Sequence, residues 1–261
     1  MEIESAVCIV TGSAVGVGAA CALQLAAKGA KVVVNYTKSE TEARATVTEC
    51  EHAGGEAILV QGDVSLDVDC RRISQAALNQ WGRIDVLINN AAITKFADQR
   101  DLEAVSADDF QRLYAVNVIG PYQMTRAATP ALQANGGAVV MISSMSGITG
   151  VGSSNAYVAS KGALNTMTLA LARALAPNVR VNAICPGFID TRWHTARFSN
   201  PEDYDKFREK VAQNAALGRT SNADDIACAV VGLVENGDMI TGEMIKVDGG
   251  AHLGAPWQRR G

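Results

Sequence analysis

Val7-Cys8-Ile9-Val10-Thr11-Gly12-Ser13-Ala14-Val15-Gly16-Val17-Gly18-Ala19-Ala20-Cys21-Ala22-Leu23 decides the fold. Residues 7–11 read as a buried strand, the glycines as a turn and residues 19–23 as the opening of a helix. That order suits a phosphate-holding loop. Glycines let the backbone turn sharply and approach a pyrophosphate, while the N–H groups and positive dipole of the helix start stabilise its charge. The spacing is G-x-x-x-G-x-G rather than the commoner G-x-G-x-x-G, and no lysine follows the second glycine, which excludes a P-loop. Alone, the pattern also serves a tight strand-to-helix turn with no ligand.

Outward from this stretch, short apolar runs at 31–35, 57–61, 84–89, 138–142, 179–184 and 244–247 alternate with helical segments. Such alternation calls for a parallel sheet with crossover helices. Helices beginning near Gly16, Glu40 and Asp67 end at Gly29, Gly54-Gly55 and Gly82. No linker and no repeat of about 20–50 residues divides the chain. The expectation is an α/β fold over residues 1–261: a single-domain, Rossmann-type, doubly wound parallel sheet of about seven strands, with helices on both faces. In such a sheet a ligand sits beyond the C-terminal strand edge.

The chain has 261 residues, of which 48% are apolar and 19% charged, enough to fill a core and too apolar for disorder. Its net charge of −4 supplies no general basic field, so neither nucleic acid nor a membrane surface is an expected partner. Arg259-Arg260, the only basic cluster, reads as a solvated tail. Six cysteines (Cys8, Cys21, Cys50, Cys70, Cys185 and Cys228) form no C-x-x-C pair and read as reduced core residues of a cytoplasmic protein. The acidic start, Met1-Glu2-Ile3-Glu4, lacks the charge of a signal peptide.

Informative residues follow the strands. The second strand ends Asn35-Tyr36-Thr37-Lys38-Ser39, with no acid before Glu40. A free ribose 2′-OH usually meets a carboxylate about 20 residues beyond the glycine loop, whereas a 2′-phosphate wants neutral or basic groups there. The reading favours NADP(H) over NAD(H), although Val15 stands where an arginine would strengthen it and Lys38 also reads as a solvated loop charge. Asp63, beside Val64, can accept from an adenine amino group or cap the following helix. Asn89-Asn90-Ala91-Ala92 allows close cofactor contact and can tie strand ends together. Tyr157 and Lys161, four apart on a helix, share one face, so an ammonium lies near a phenol and favours its ionisation. By itself that spacing more often describes an amphipathic surface pair. Ser144 precedes it at the end of the fifth strand.

Taken jointly, Thr11-Gly12-x-x-x-Gly16-x-Gly18, Asn89-Asn90-Ala91, Ser144, Tyr157-x-x-x-Lys161, Pro186-Gly187, Ile240-Thr241-Gly242 and Val247-Asp248-Gly249-Gly250 resemble the short-chain dehydrogenase/reductase family over nearly the whole chain. The likeness is to its single-domain branch, with members such as the 3-oxoacyl-carrier-protein reductases. The resemblance implies hydride transfer between a nicotinamide and a small carbonyl or alcohol substrate. Tyr157 would exchange the substrate proton and Ser144 would hydrogen-bond the same oxygen. Lys161 would hold the nicotinamide ribose and lower the tyrosine pKa, and Asn117 would support a water chain to the lysine. Ile189 and Thr191 would fix the carboxamide, Thr37 would meet the 2′-phosphate, and Gly12, Ser13, Ala14, Gly16, Val17, Gly18, Asp63, Val64 and Asn90 would line the rest of the cofactor. Ala92 departs from the family's usual glycine, and Val15 from the arginine common in NADP-dependent members.

His52, His194 and His252 share no metal spacing and form no legible relay with Ser144, so no metal is expected. Residues 192–213 read either as an aromatic lid over the substrate or as an amphipathic helix with its apolar stripe inward. Met145, Thr94, Phe96 and Asn155 are further candidate pocket walls. An NAD-linked alcohol dehydrogenase is the near alternative. A nucleotide-sensing regulator without catalysis is the distant one, and it predicts a damaged Ser, Tyr or Lys. The family likeness further implies a homotetramer, with contact faces on helices near 108–132 and 155–176, where the apolar pattern suits a partner or the core alike.

Overall fold

Seven parallel strands lie in the order β3-β2-β1-β4-β5-β6-β7 in the computed structural model, which describes residues 1–195 and 198–255. They are β1 (Val7–Val10), β2 (Lys31–Tyr36), β3 (Glu56–Gln61), β4 (Val86–Asn89), β5 (Ala138–Ile142), β6 (Arg180–Pro186) and β7 (Met244–Val247). The helices joining them are α1 (Gly16–Ala26), α2 (Glu40–His52), α3 (Asp67–Trp81), α4 (Ala107–Tyr114), α5 (Gly120–Asn135), α6 (Ser146–Thr149), α7 (Asn155–Leu175), α8 (Arg192–Thr195), α9 (Pro201–Gln213) and α10 (Ala223–Asn236). The strand order reverses between β1 and β4, so connections leave in opposite directions there and open a crevice at the C-terminal edge.

Strands buried on both faces need continuous apolar runs, and Val7–Val10 and Val86–Asn89 are buried throughout. Successive side chains alternate between two cores. Cys8 and Val10 face α1, α2 and α10, where Leu25, Cys50 and Val230 wait, whereas Val7 and Ile9 face Ile73, Met124 and Leu164 of α3, α5 and α7. Five of the six cysteines are buried as expected of core residues; Cys228 instead lies exposed on α10. Arg259 and Arg260 lie outside the described residues.

The expected helix near 108–132 is continuous but not regular: α4 and α5 are joined by one π turn, Ala115–Ile119. The wider turn turns Asn117 fully inward. Nothing in the periodicity announces it.

At the C-terminal edge, one buried amide ties three pieces together. Asn35 Oδ1 accepts the Gly12 N–H at 3.0 Å, and its Nδ2 donates to the carbonyls of Val60 and Gly62 at 3.2 and 3.1 Å. The glycine loop is thus anchored to the ends of β2 and β3. Asn35→Ala strips the Gly12 N–H of its acceptor and is expected to lower the unfolding free energy by about 1–3 kcal/mol, measured by urea denaturation. A variant as stable as wild type would contradict the anchoring role.

Candidate active site

A cleft of about 1950 Å³ runs along the strand ends, from the glycine loop to the start of α7. At its floor Gly12 and Gly16 both adopt φ of +61°, a conformation closed to most side chains. A methyl group at Gly12 would sit 2.9 Å from Ala91 Cα, whereas at Gly16 it would meet nothing within 4 Å, because Gly16 opens onto the cleft. Val15, the residue before α1, supplies no side-chain cap, and the first turn carries no acid. The N-terminal N–H groups of α1 therefore suit an anionic ligand, and this cradle fits the pyrophosphate of a dinucleotide.

Gly12, Ala14, Gly16 and Val17 line the cleft, but two of the expected loop contacts do not. Ser13 is fully buried beneath the loop: its Oγ donates to the Val10 carbonyl at 2.7 Å and accepts the Asn35 N–H at 3.0 Å. Gly18 serves packing, since a methyl group there would lie 2.5 Å from Asn90 Nδ2 and 2.6 Å from the Gly12 oxygen. Asn90 donates to the carbonyls of Thr11 and Gly12 at 2.9 and 3.0 Å, joining the end of β4 to the loop while lining the cleft itself.

Beyond β2, Tyr36, Thr37 and Lys38 line the cleft, with Asp63 and Val64 beside them. Asp63 is not the cap of α3, whose preceding residue is Leu66; Asp63 Oδ1 instead holds a local turn by accepting from Ser65 N–H and Oγ at 2.9 and 2.7 Å. The first acids after β2 are engaged elsewhere. Glu40 pairs with Arg44 on its own helix, and Glu42 reaches Arg192 of α8 at 3.2 Å.

At the other end, α7 starts where Ser154 Oγ accepts the Tyr157 N–H at 3.3 Å. One turn later Lys161 points back under the ring, its Nζ 5.8 Å from the Tyr157 ring centroid. Only 2% exposed, the ammonium donates to the Ile142 carbonyl at the end of β5 at 2.8 Å. Ser144 lies beside the Tyr157 hydroxyl, and its Oγ accepts the Ser146 N–H at 3.1 Å. Gly147 lets α6 approach this closely, as a methyl group there would stand 2.5 Å from the Lys161 carbonyl carbon.

Burial pushes the Tyr157 phenol up to about 12 against an opposing hydrogen bond from Ser144. Burial likewise brings the Lys161 ammonium down to about 8, opposed by the nearby Cys185. The expected depression of the tyrosine by the lysine is therefore not seen in this cleft. Desolvation of the ring outweighs the cation, whose nitrogen is directed at the Ile142 carbonyl.

Asn117 does not reach the cleft. Its Oδ1 accepts the Ile93 N–H at 2.9 Å and its Nδ2 donates to the Ile93 carbonyl at 2.9 Å and to Ser160 Oγ at 3.1 Å, so the side chain braces the post-β4 segment against the residue preceding Lys161. Asn155 is likewise not a wall: its amide is bonded to Gln99 in both directions, at 3.0 and 3.2 Å. Ile189 and Thr191 line the cleft after β6, as do Thr94, Phe96 and Met145. Within the segment 192–213, α8 spans Arg192–Thr195 and α9 Pro201–Gln213. Tyr204 and Arg208 of α9 both bond the carboxylate of Asp190, and Trp193, His194 and Phe207 line the cleft. Asn35, Gln99, Gly147 and Phe188 were not legible as site residues, because Asn35 and Gln99 act through partners more than 20 residues away, Gly147 through the close approach of another helix and Phe188 through a ring contact. Among the described residues no three His, Cys, Asp or Glu side chains converge, and no helix is long and apolar enough to cross a membrane.

Because the folded pKa of Lys161 lies below its ordinary value of 10.5, the buried charge costs stability below about pH 8, and that cost is relieved as pH rises toward 10.5. Relative to Lys161→Met, the wild type should gain up to roughly 3 kcal/mol of unfolding free energy between pH 7.5 and 10.5, measured by urea denaturation across that range. A difference that stays flat or falls would contradict the buried ammonium.

A family model described as "Enoyl-(Acyl carrier protein) reductase" matches residues 12–252. A protein of Streptomyces violaceoruber, named as a candidate ketoacyl reductase of the granaticin polyketide synthase, is 40% identical over 96% of this chain and 97% of its own. An oxidoreductase of Methylorubrum extorquens is 40% identical over 95% and 98%. Among solved structures, a candidate short-chain dehydrogenase/reductase of Burkholderia xenovorans superposes with a TM-score of 0.89 at 38% identity, covering 96% of this chain and 99% of its own. A doubly substituted short-chain dehydrogenase/reductase of Serratia marcescens superposes at 0.85 with 28% identity over the same shares. With the strand order, the glycine cradle and the Ser144, Tyr157 and Lys161 cluster already in place, these likenesses make the chain a member of the short-chain dehydrogenase/reductase family, an oxidoreductase acting on CH–OH or C=O groups with a nicotinamide dinucleotide.

Proposed function

We propose that the protein is an NADP(H)-dependent carbonyl reductase in which Tyr157 is the proton donor. The observation that carries the reading is Tyr157, beside Ser144 and set over a buried ammonium, at the opposite end of one cleft from a glycine cradle. A bound nicotinamide supplies the hydride. The chain's own part is to hold the carbonyl, manage one proton and stabilise charge on oxygen.

Ser144 and Tyr157 both reach the position of a carbonyl oxygen. As that oxygen gains negative charge, Tyr157 passes it the phenolic proton, and the Lys161 ammonium stabilises the phenolate left behind. A phenol protonated at neutral pH is in the donor form that reduction of a carbonyl needs. The relative named as a candidate ketoacyl reductase supports a ketone as the reducible group. For the coenzyme, the end of β2 presents Thr37 and Lys38, while Glu40 and Glu42 are each paired with an arginine; this favours a 2′-phosphate over a free hydroxyl. Exposed Phe110, Ile119, Tyr122 and Leu169 on α4, the π turn, α5 and α7 support a cytoplasmic homotetramer closed through those helices.

A ketone panel run with NADPH and with NADH tests the whole reading. The expected outcome is at least about tenfold higher kcat/KM with NADPH, equivalent to about 1.4 kcal/mol, and a drop in turnover of at least ~10²-fold for Tyr157→Phe with nucleotide affinity retained. Preference for NADH would remove the NADP assignment, and near-normal turnover in the variant would remove the role of Tyr157.

A further inference from the structure

The reactive half of the cleft is walled by rings drawn from separate parts of the chain. Phe96 follows β4, Phe188 follows β6, His194 lies on α8 and Phe207 on α9, and all four line the cleft. They form one run: Phe96 to His194 at 6.3 Å between ring centroids, His194 to Phe188 at 4.6 Å, and Phe188 to Phe207 at 5.4 Å edge-on. Phe96 remains 38% exposed and Trp193, beside His194, 37%. Rings at such spacings and tilts offer both faces and edges to another ring, and attract it beyond what buried area alone provides.

Three pairs of polar side chains around the same half are spent on one another. Thr94 and Ser153 share a hydrogen bond between their hydroxyls, the Gln99 and Asn155 amides bond each other, and Lys95 Nζ is held by Asp109 at 2.6 Å. A sugar or a carboxylate substrate would have to break these pairs to have its own groups satisfied, and buried polar groups left unpaired are costly. An apolar ring makes no such demand.

We infer that the substrate is a ketone whose carbonyl carries an aryl ring, seated against the run from Phe96 to Phe207 with its oxygen toward Ser144 and Tyr157. The inference rests on the carbonyl-reductase reading and narrows its substrate class. Recognition comes from ring contacts on the far side of the reacting carbon from the coenzyme cradle, so a straight-chain ketone of equal carbon count loses the stacking while retaining the hydrophobic contribution.

Acetophenone and 2-octanone, which carry equal numbers of carbons, separate the two contributions. The purified protein with NADPH is expected to show a kcat/KM at least about tenfold higher for acetophenone, a ratio equivalent to about 1.4 kcal/mol. Phe188→Ala, and separately Phe96→Leu on its loop, should each lower that ratio severalfold by losing more on the aryl ketone than on the straight chain. Ligand-observed NMR on the coenzyme-loaded Tyr157→Phe protein reads binding without turnover. An aryl preference in binding, with no turnover in the wild type, would uphold the aryl seat on the ring run but remove the reductase reading and with it the assignment of an aryl ketone as substrate. Turnover with equal or greater preference for 2-octanone would overturn the inference and leave the reductase reading intact. Detectable binding of neither ketone would overturn the inference as well.

Discussion

Burying an ammonium against the carbonyl that ends β5 is the constraint on which the reactive half of this molecule depends. A charge so enclosed is expensive unless hydrogen bonds compensate it, and the Lys161 contact with Ile142 holds only if α7 lies close against the sheet edge. Gly147 gives the approach room on one side. On the other, Asn117 grips both Ile93 and Ser160, fixing the turn of α7 that presents Lys161. Ser143, hydrogen-bonded to Asn165, pins the strand end to the same helix. Tyr157 then has no freedom to leave Ser144, because its own N–H is capped by Ser154 and its ring rests over the lysine.

The nucleotide half follows a parallel logic with backbone in place of charge. Asn35 and Asn90 hold the glycine loop from two directions, and the uncapped start of α1 faces the space they leave. The two halves meet because β1 and β4 flank the reversal of strand order while β5 and β6 carry Ser144 and the cleft-lining segment with Ile189 and Thr191 outward from it. Reaction geometry is thus a property of strand order before it is a property of any side chain.

Much of this was legible in the chain. Short continuous apolar runs and the helical stretches between them place all seven strands and the long helices, and a four-residue spacing puts Tyr157 and Lys161 on one face whatever surrounds them. What a linear pattern does not carry is the direction in which a loop or turn residue faces. Ser13 and Gly18 sit inside a motif of cleft-facing residues yet point into the sheet edge, since Asn35 and Asn90 claim them. Asn117 and Asn155, expected in the site, instead have their side chains bonded to partners 24 to 56 residues away. The ring run was hidden for the same reason, since Phe96 and Phe207 are linked through His194 of α8 and Phe188 after β6. Electrostatic direction was the hardest to read: adjacency to a lysine suggests an acidic phenol, and only the burial of both groups reverses the outcome.

The most direct test of the account is an ultraviolet titration of phenolate in the nucleotide-free protein, wild type against Tyr157→Phe. The two curves should coincide through the ordinary tyrosine value of about 10 and separate by one phenolate only as pH approaches about 12. One extra phenolate in the wild type appearing below pH 10 would show that Tyr157 is not the buried, protonated donor described here.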